Sequence, residues 1–298
     1  MSFTPKGIIP AMVTPFDEQG GINEAILREL VDYLIEGGVH GLFPVGSQGE
    51  FYALEKGEKK KIIEIVLSQA EGKLPVYAGT GAITTKETII LTKMAEDIGV
   101  DAVSVITPFF ISPTQDELYE HYFSIAKSTH LPVLLYNNPG RTGVNLSVDL
   151  VVRLSKISNI VGIKDSSGDM TLISEYIRKT DDDFSVLAGR DTLIYGTLLY
   201  GGKGSIAATA NVAPKLVVEI YEAFVKGDTE QAKEAQANLA PLRLAFGLGS
   251  FPVVIKDALK LIGIDVGSAR GPVKSLDKVK QEKLKNILQQ MELLEEHA

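Results

Sequence analysis

A repeating order of short apolar runs and amphipathic stretches constrains this chain more than any single motif. Runs rich in β-branched residues predict strands over residues 7–14, 41–45, 76–79, 102–106, 132–136, 160–164, 185–188 and 205–208. Between and after them, apolar residues recurring at helical spacing predict helices over 23–36, 54–70, 86–98, 114–128, 147–156, 170–179, 191–200 and 214–226, the first capped by Asn23. About eight β-α units in under ~230 residues match the count and size of a closed barrel, so the expected fold is α/β, a (β/α)8 TIM barrel over residues 1–227. An open doubly wound sheet is the runner-up. It normally has fewer strands and a phosphate-binding glycine turn after the first, whereas here that strand runs into Thr14-Pro15-Phe16.

Beyond Gly227 the pattern changes to helices alone, expected over 229–246, 253–262 and 275–296. No Pro/Ser-rich linker separates them from the barrel. Residues 228–298 therefore read as a C-terminal helical extension packed on it.

Composition removes several function classes. A net charge of −8 argues against a nucleic-acid partner. The absence of cysteine excludes disulfides, thiolate metal sites and a thiol nucleophile, and fits a cytoplasmic enzyme. The start, M-S-F-T-P-K-G-I-I-P, has no basic region followed by an apolar stretch, so no signal peptide is expected. No apolar run approaches the ~20 residues of a membrane span, and no membrane partner is expected.

The stretch N-I-V-G-I-K-D-S-S, residues 159–167, carries the chemistry. Ile160, Val161 and Ile163 read as a buried strand, with Lys164 at its C-terminal end. Burial disfavours the charged form of an amine and makes a neutral nucleophile available, as a Schiff-base lysine requires. Alone, such a lysine is more simply one that snorkels to water or pairs with Asp165.

Its neighbours at the C-terminal strand ends, the active face of a barrel, reverse that weighting. They include Gly46-Ser47-Gln48-Gly49-Glu50, Pro108-Phe109-Phe110, Tyr136 followed by Asn137-Asn138-Pro139-Gly140-Arg141-Thr142-Gly143, Ala188-Gly189-Arg190-Asp191, and Ser205-Ile206. A lysine, a tyrosine, an arginine and a hydroxyl-plus-glycine loop thus converge by topology. Each has a plainer reading by itself. The glycines permit a tight turn, Tyr136 is a core aromatic, Arg141 is a surface turn residue, and the phenylalanines are packing.

Other chemistries find little in the chain. His40, His121, His130 and His297 show no metal-ligand spacing and no H-E-x-x-H. Gly201-Gly202-Lys203-Gly204-Ser205 has the order K-G-S where a nucleotide loop needs G-K-S, and it precedes a strand where that loop follows one. No G-x-S-x-G elbow is present. No metal and no cofactor are expected.

Together, G-S-Q-G-E, Y-N-N-P-G-R-T-G and G-I-K-D-S-S-G-D, in this order and on these strands, resemble the dihydrodipicolinate synthase / N-acetylneuraminate lyase family. The similarity runs from about Gly7 to Ile262, and the helical tail is also of the family's type. The resemblance implies a barrel enzyme, usually a homotetramer, whose lysine forms a Schiff base with pyruvate or a longer 2-oxo acid. Lys164 would be that lysine and Tyr136 the general acid/base. The Ser47-Gln48 loop would hold the pyruvate carboxylate, and Gly189 and Ile206 would line the pyruvate pocket. Arg141 would meet a carboxylate on the second substrate, a role suited to a guanidinium fork.

This chain departs from the synthases at three places. They carry two threonines where it has Ser47 and Gln48, and a tyrosine contributed across a subunit interface where it has Phe110. The family's relay of a threonine and two tyrosines would survive only as Tyr136, since a phenylalanine passes no proton. An asparagine of the lysine-inhibition site is replaced by Ile83, which argues against lysine inhibition.

The expected function is a pyruvate-dependent class I aldolase or lyase that makes or breaks a C–C bond to a polar aldehyde. The alternative is a true dihydrodipicolinate synthase acting on pyruvate and aspartate semialdehyde, which Arg141 would suit. From a different class, a 2-oxo-acid-binding regulatory protein would keep the lysine and lose turnover.

Overall fold

Every apolar run expected as a strand lies in the wall of a barrel, and the outcome at the second run shows how the barrel closes. In the computed structural model, which describes residues 3–294, seven parallel strands form one sheet. They are β1 (Gly7–Pro10), β2 (Tyr77–Gly79), β3 (Ala102–Ile106), β4 (Val133–Asn137), β5 (Ile160–Asp165), β6 (Ser185–Ala188) and β7 (Gly204–Ala207). Their order is β1-β7-β6-β5-β4-β3-β2, which leaves a gap between β1 and β2.

Residues 41–45 fill that gap without being a regular strand, through isolated parallel bridges Ala11↔Phe43 and Leu42↔Val76. The Phe43 amide donates to Pro10 O at 3.1 Å on one side, and the Leu42 amide to Pro75 O at 2.9 Å on the other. Pro44 has no N–H to continue the ladder, and Val45 turns into the left-handed region at φ 58°. The expected strand is therefore shortened to a two-residue stave, yet it is bonded on both sides and the ring is complete. The first strand is also shorter than expected, ending at Pro10.

Side chains alternate across this wall with the period of two that strands impose. Ile9, Phe43, Tyr77, Ala102, Leu134, Leu187 and Ile206 point inward and form the barrel's own core. Ile8, Leu42, Val103, Val133, Leu135, Ile163 and Val186 point outward into the larger core under the helices. Truncating the fully buried Leu134 to alanine would cost ~2–5 kcal/mol.

The helices follow the expected order. Asn23 caps helix Glu24–Glu36, accepting from the Ile26 amide at 3.2 Å. The helix expected over 191–200 divides into a 3-10 turn, Asp191–Leu193, and helix Ile194–Leu199. After Gly227 come Thr229–Leu244, Val253–Leu261 and Lys278–Gln290. The first ends two residues early in a 3-10 turn, Ala245–Leu248, and the last starts at its cap Asp277 and stops at Gln290. The expected end at Glu296 lies outside the described residues. Among the described residues no helix is long and apolar enough to cross a membrane.

Candidate active site

Two strand registers build the centre of the site. β4 and β5 pair in parallel with Tyr136 opposite Lys164. Both follow inward-facing positions, Leu134 and Gly162, by two residues, so both side chains point into the barrel at its C-terminal end. Gly162 must lack a side chain here, because a Cβ would stand 2.3 Å from Ser185 O. The Lys164 Nζ lies 4.2 Å from the centroid of the Tyr136 ring and 5.4 Å from that of Phe43. Both residues are about 95% buried, with Lys164 4% and Tyr136 5% exposed.

Asp165 does not pair with Lys164. Adjacent residues on a strand face opposite ways, and the buried Asp165 carboxylate accepts from Asn137 Nδ2 at 2.7 Å and from the Ser167 hydroxyl. Burial raises the Asp165 pKa against those hydrogen bonds. The alternative reading of Lys164 as half of a local ion pair is thereby removed.

The Tyr136 hydroxyl finds a side chain, where a core tyrosine would find a backbone carbonyl. Asn138 Nδ2 donates to it at 2.9 Å. Burial pushes its pKa up, but the Lys164 charge and the neighbouring polar side chains of Ser47, Ser166 and Asn138 outweigh this and hold the phenol below its ordinary value.

Lys164 and Tyr136 line a cavity of about 410 Å³ together with Ser47, Gln48, Arg141, Gly189 and Ile206, which is seven of the eight residues the sequence singled out. Ile206 is part of the barrel core and forms its floor. Gly189 is needed where it stands, since a Cβ would lie 2.1 Å from the Ser166 hydroxyl oxygen. Arg141 sits on the turn Pro139–Thr142, its guanidinium 4.7 Å from the centroid of Phe251. Gln48 is 2% exposed and its Oε1 has no hydrogen-bond partner among the described residues.

Phe110 is the exception. It is 95% exposed, holds a left-handed φ of 73°, and is not part of the cavity of its own chain. The loop after β3 turns its side chain outward at this position.

The structure adds residues that the sequence did not single out. Glu50, the last residue of G-S-Q-G-E, is fully buried and pairs with the buried Lys256 at 2.7 Å. The Arg270 amide donates to its other oxygen at 2.9 Å. Lys256 and Arg270 both lie against the Phe16 ring, at 4.3 and 4.4 Å from its centroid. The loop carrying Ser47 and Gln48 is thus anchored to the C-terminal extension. Burial lowers the Lys256 pKa, and the Glu50 carboxylate opposes it. The extension also supplies Arg243, Phe246, Phe251 and Pro252 to the cavity, and the turn after β6 supplies Arg190. Among the described residues no three His, Cys, Asp or Glu side chains gather as a metal site.

This arrangement suits carbonyl chemistry. A lysine amine is enclosed beside a phenol whose pKa is held below its ordinary value, in a cavity that the Ser47-Gln48 loop also lines.

Comparisons with known proteins agree with that chemistry. The model of the Dihydrodipicolinate synthetase family matches residues 4–291. The 4-hydroxy-tetrahydrodipicolinate synthase of Methanopyrus kandleri is 42% identical over 298 residues, covering 99% of each chain. A crystal structure of a dihydrodipicolinate synthase from Bacillus anthracis superimposes with a TM-score of 0.93 at 40% identity, covering 95% of this chain and 97% of that one. The chloride-inhibited dihydrodipicolinate synthase of Acinetobacter baumannii, complexed with pyruvate, gives a TM-score of 0.94 at 38% identity, covering 97% and 99%.

Proposed function

The chain belongs to the dihydrodipicolinate synthetase family, and on that premise we propose that it is a pyruvate-dependent class I aldolase. The observation that carries the proposal is the enclosed Lys164 amine 4.2 Å from the Tyr136 ring centroid, at the end of two strands in parallel register. In its neutral form Lys164 attacks the ketone of pyruvate or a 2-oxo acid. Tyr136 moves the protons that turn the carbinolamine into an imine, its hydroxyl steadied by Asn138. The protonated imine then serves as electron sink while an enamine forms or breaks the C–C bond to an aldehyde. The Ser47-Gln48 loop holds the pyruvate carboxylate, Gly189 and Ile206 shape that pocket, and Arg141 meets the aldehyde's anionic end. No cofactor or metal takes part in the proposed reaction.

A second reading is dihydrodipicolinate synthase proper, with aspartate semialdehyde as the aldehyde. Whole-chain relatives named 4-hydroxy-tetrahydrodipicolinate synthase and the place of Arg141 in the cavity support it. The absent hydroxyl at Phe110 favours another polar aldehyde. The two readings separate in a panel of aldehydes and 2-oxo-3-deoxy sugar acids, followed by pyruvate consumption or release. Turnover of aspartate semialdehyde well above every other member would establish the synthase.

The proposal includes a homotetramer in the cytoplasm. Tyr52, Ile83, Phe110 and Ile111, on loops at the C-terminal end of successive staves, leave large apolar side chains exposed, and a second copy of the chain would cover them. Residues 1–227 form the catalytic barrel in this reading, and residues 228–298 the extension that completes the cavity mouth.

A further inference from the structure

The chain has seven arginines. Four are ion-paired: Arg28 with Glu24, Arg153 with Asp116, Arg178 with Glu175 and Arg270 with Glu58. The other three, Arg141, Arg190 and Arg243, all line the cavity that contains Lys164. They come from the turn after β4, the turn after β6 and the end of helix Thr229–Leu244, so only the folded chain assembles them. None of the three is in an ion pair among the described residues.

Gathering three guanidinium groups costs electrostatic energy, and the wall offers one carboxylate in return. Asp191 also lines the cavity, but it is 1% exposed and accepts from the Thr209 amide at 2.7 Å. Burial lowers the Arg243 pKa, Asp191 opposes this, and the charges of Arg190 and Arg141 add to the lowering, so the three cations feel one another. Two of them are held by aromatic faces: Arg141 is 4.7 Å from the Phe251 ring centroid and Arg243 is 4.6 Å from that of Phe246. Stacking on the ring face leaves the N–H edges free to donate.

This cluster has no role in holding pyruvate, whose carboxylate the proposed reading gives to the Ser47-Gln48 loop. One carboxylate on the aldehyde would engage one guanidinium fork. Three forks match a group with two negative charges and several acceptor oxygens. Resting on the aldolase reading, we propose that the second substrate is an aldehyde carrying a phosphate monoester, recognised by Arg141, Arg190 and Arg243 together. Arg190 and Arg243 would then be specificity-determining residues.

The test has two arms on the full-length protein. In the first, inorganic phosphate is titrated in a thermal-unfolding assay with wild type and with the Arg190→Gln/Arg243→Gln double variant. A ligand at about 100 times its Kd stabilises measurably, so phosphate should raise the Tm of the wild type and not that of the variant. No shift in the wild type, or an equal shift in both, overturns the proposal. A larger shift with malonate than with phosphate assigns the tail to a dicarboxylate and overturns the phosphate assignment.

In the second arm, glyceraldehyde 3-phosphate is compared with glyceraldehyde as partner for pyruvate. The phosphorylated aldehyde should have a KM lower by about tenfold or more, a preference that collapses toward unity in the double variant. Equal KM values in the wild type overturn the proposal. Failure of the aldolase reading itself would show separately, as absence of turnover with any aldehyde while phosphate still raises the Tm.

Discussion

Tyr136 and Lys164 face each other across the parallel pair β4 and β5, with the lysine Nζ 4.2 Å from the tyrosine ring centroid. Backbone hydrogen bonding fixes that register, so the amine and the phenol are brought together by the sheet itself, independently of loop conformation. Neither strand alone would do this. The relation between them requires the β4–β5 pairing.

Replacing Tyr136 by phenylalanine keeps the ring and removes the proton carrier. Turnover should fall by roughly 10²–10⁴ while the Tm changes little, because the ring still packs in the barrel interior. Steady-state kinetics alongside thermal unfolding check this. A loss under about tenfold would mean that another group moves the protons.

The hydrogen bond from Asn138 helps to hold the Tyr136 phenol below its ordinary value. Removing a donor to the phenolate destabilises the charged form, so the phenol pKa must rise. In Asn138→Ala the limb of the kcat profile that tracks this group should therefore move to higher pH. A profile that drops in height without moving would point to a purely structural role.

Lys256→Met leaves the buried Glu50 carboxylate without its cation. Breaking such a pair costs ~3–5 kcal/mol, and the loop bearing Ser47 and Gln48 should loosen with it. Denaturant unfolding should show the loss, and the KM for pyruvate should rise. The Glu50→Gln/Lys256→Met double variant should recover part of the stability, and equal stability of the two variants would contradict the account.

His121 is buried, and burial pushes its pKa down to about 4. An unfolded histidine, at about 6.5, takes a proton that the folded one refuses over the window between these values. Stability should therefore be full above pH ~6.5 and decline as the pH falls toward ~4, by roughly 3 kcal/mol from this residue. In His121→Gln, denaturant unfolding across that range should show a flatter pH dependence than the wild type. An unchanged slope would assign the acid sensitivity elsewhere.

Phe110→Tyr with Gln48→Thr restores the side chains of the synthases. Turnover of aspartate semialdehyde should increase, and no gain would count against the missing hydroxyl as the reason for preferring another aldehyde.

The legible part of this site was the part that strands position. Lys164, Tyr136, Gly189 and Ile206 stand on or at the ends of apolar runs whose alternation fixes where each side chain points. Arg141 and the Ser47-Gln48 loop follow such runs directly, and Asn23 announced its helix by its capping chemistry. Arg243 and Phe251 were not legible, because helix packing alone carries residues 243–252 over the cavity mouth. Glu50 and Lys256 are 206 positions apart in sequence, and nothing local shows that each neutralises the other. Residues 41–45 have the propensity of a full strand, and β-propensity does not register that Pro44 lacks an N–H.

The most direct measurement is borohydride reduction in the presence of pyruvate, followed by peptide mapping. The account predicts one added pyruvyl group on Lys164, and none in Lys164→Ala. Labelling of another lysine, or of none, would contradict it.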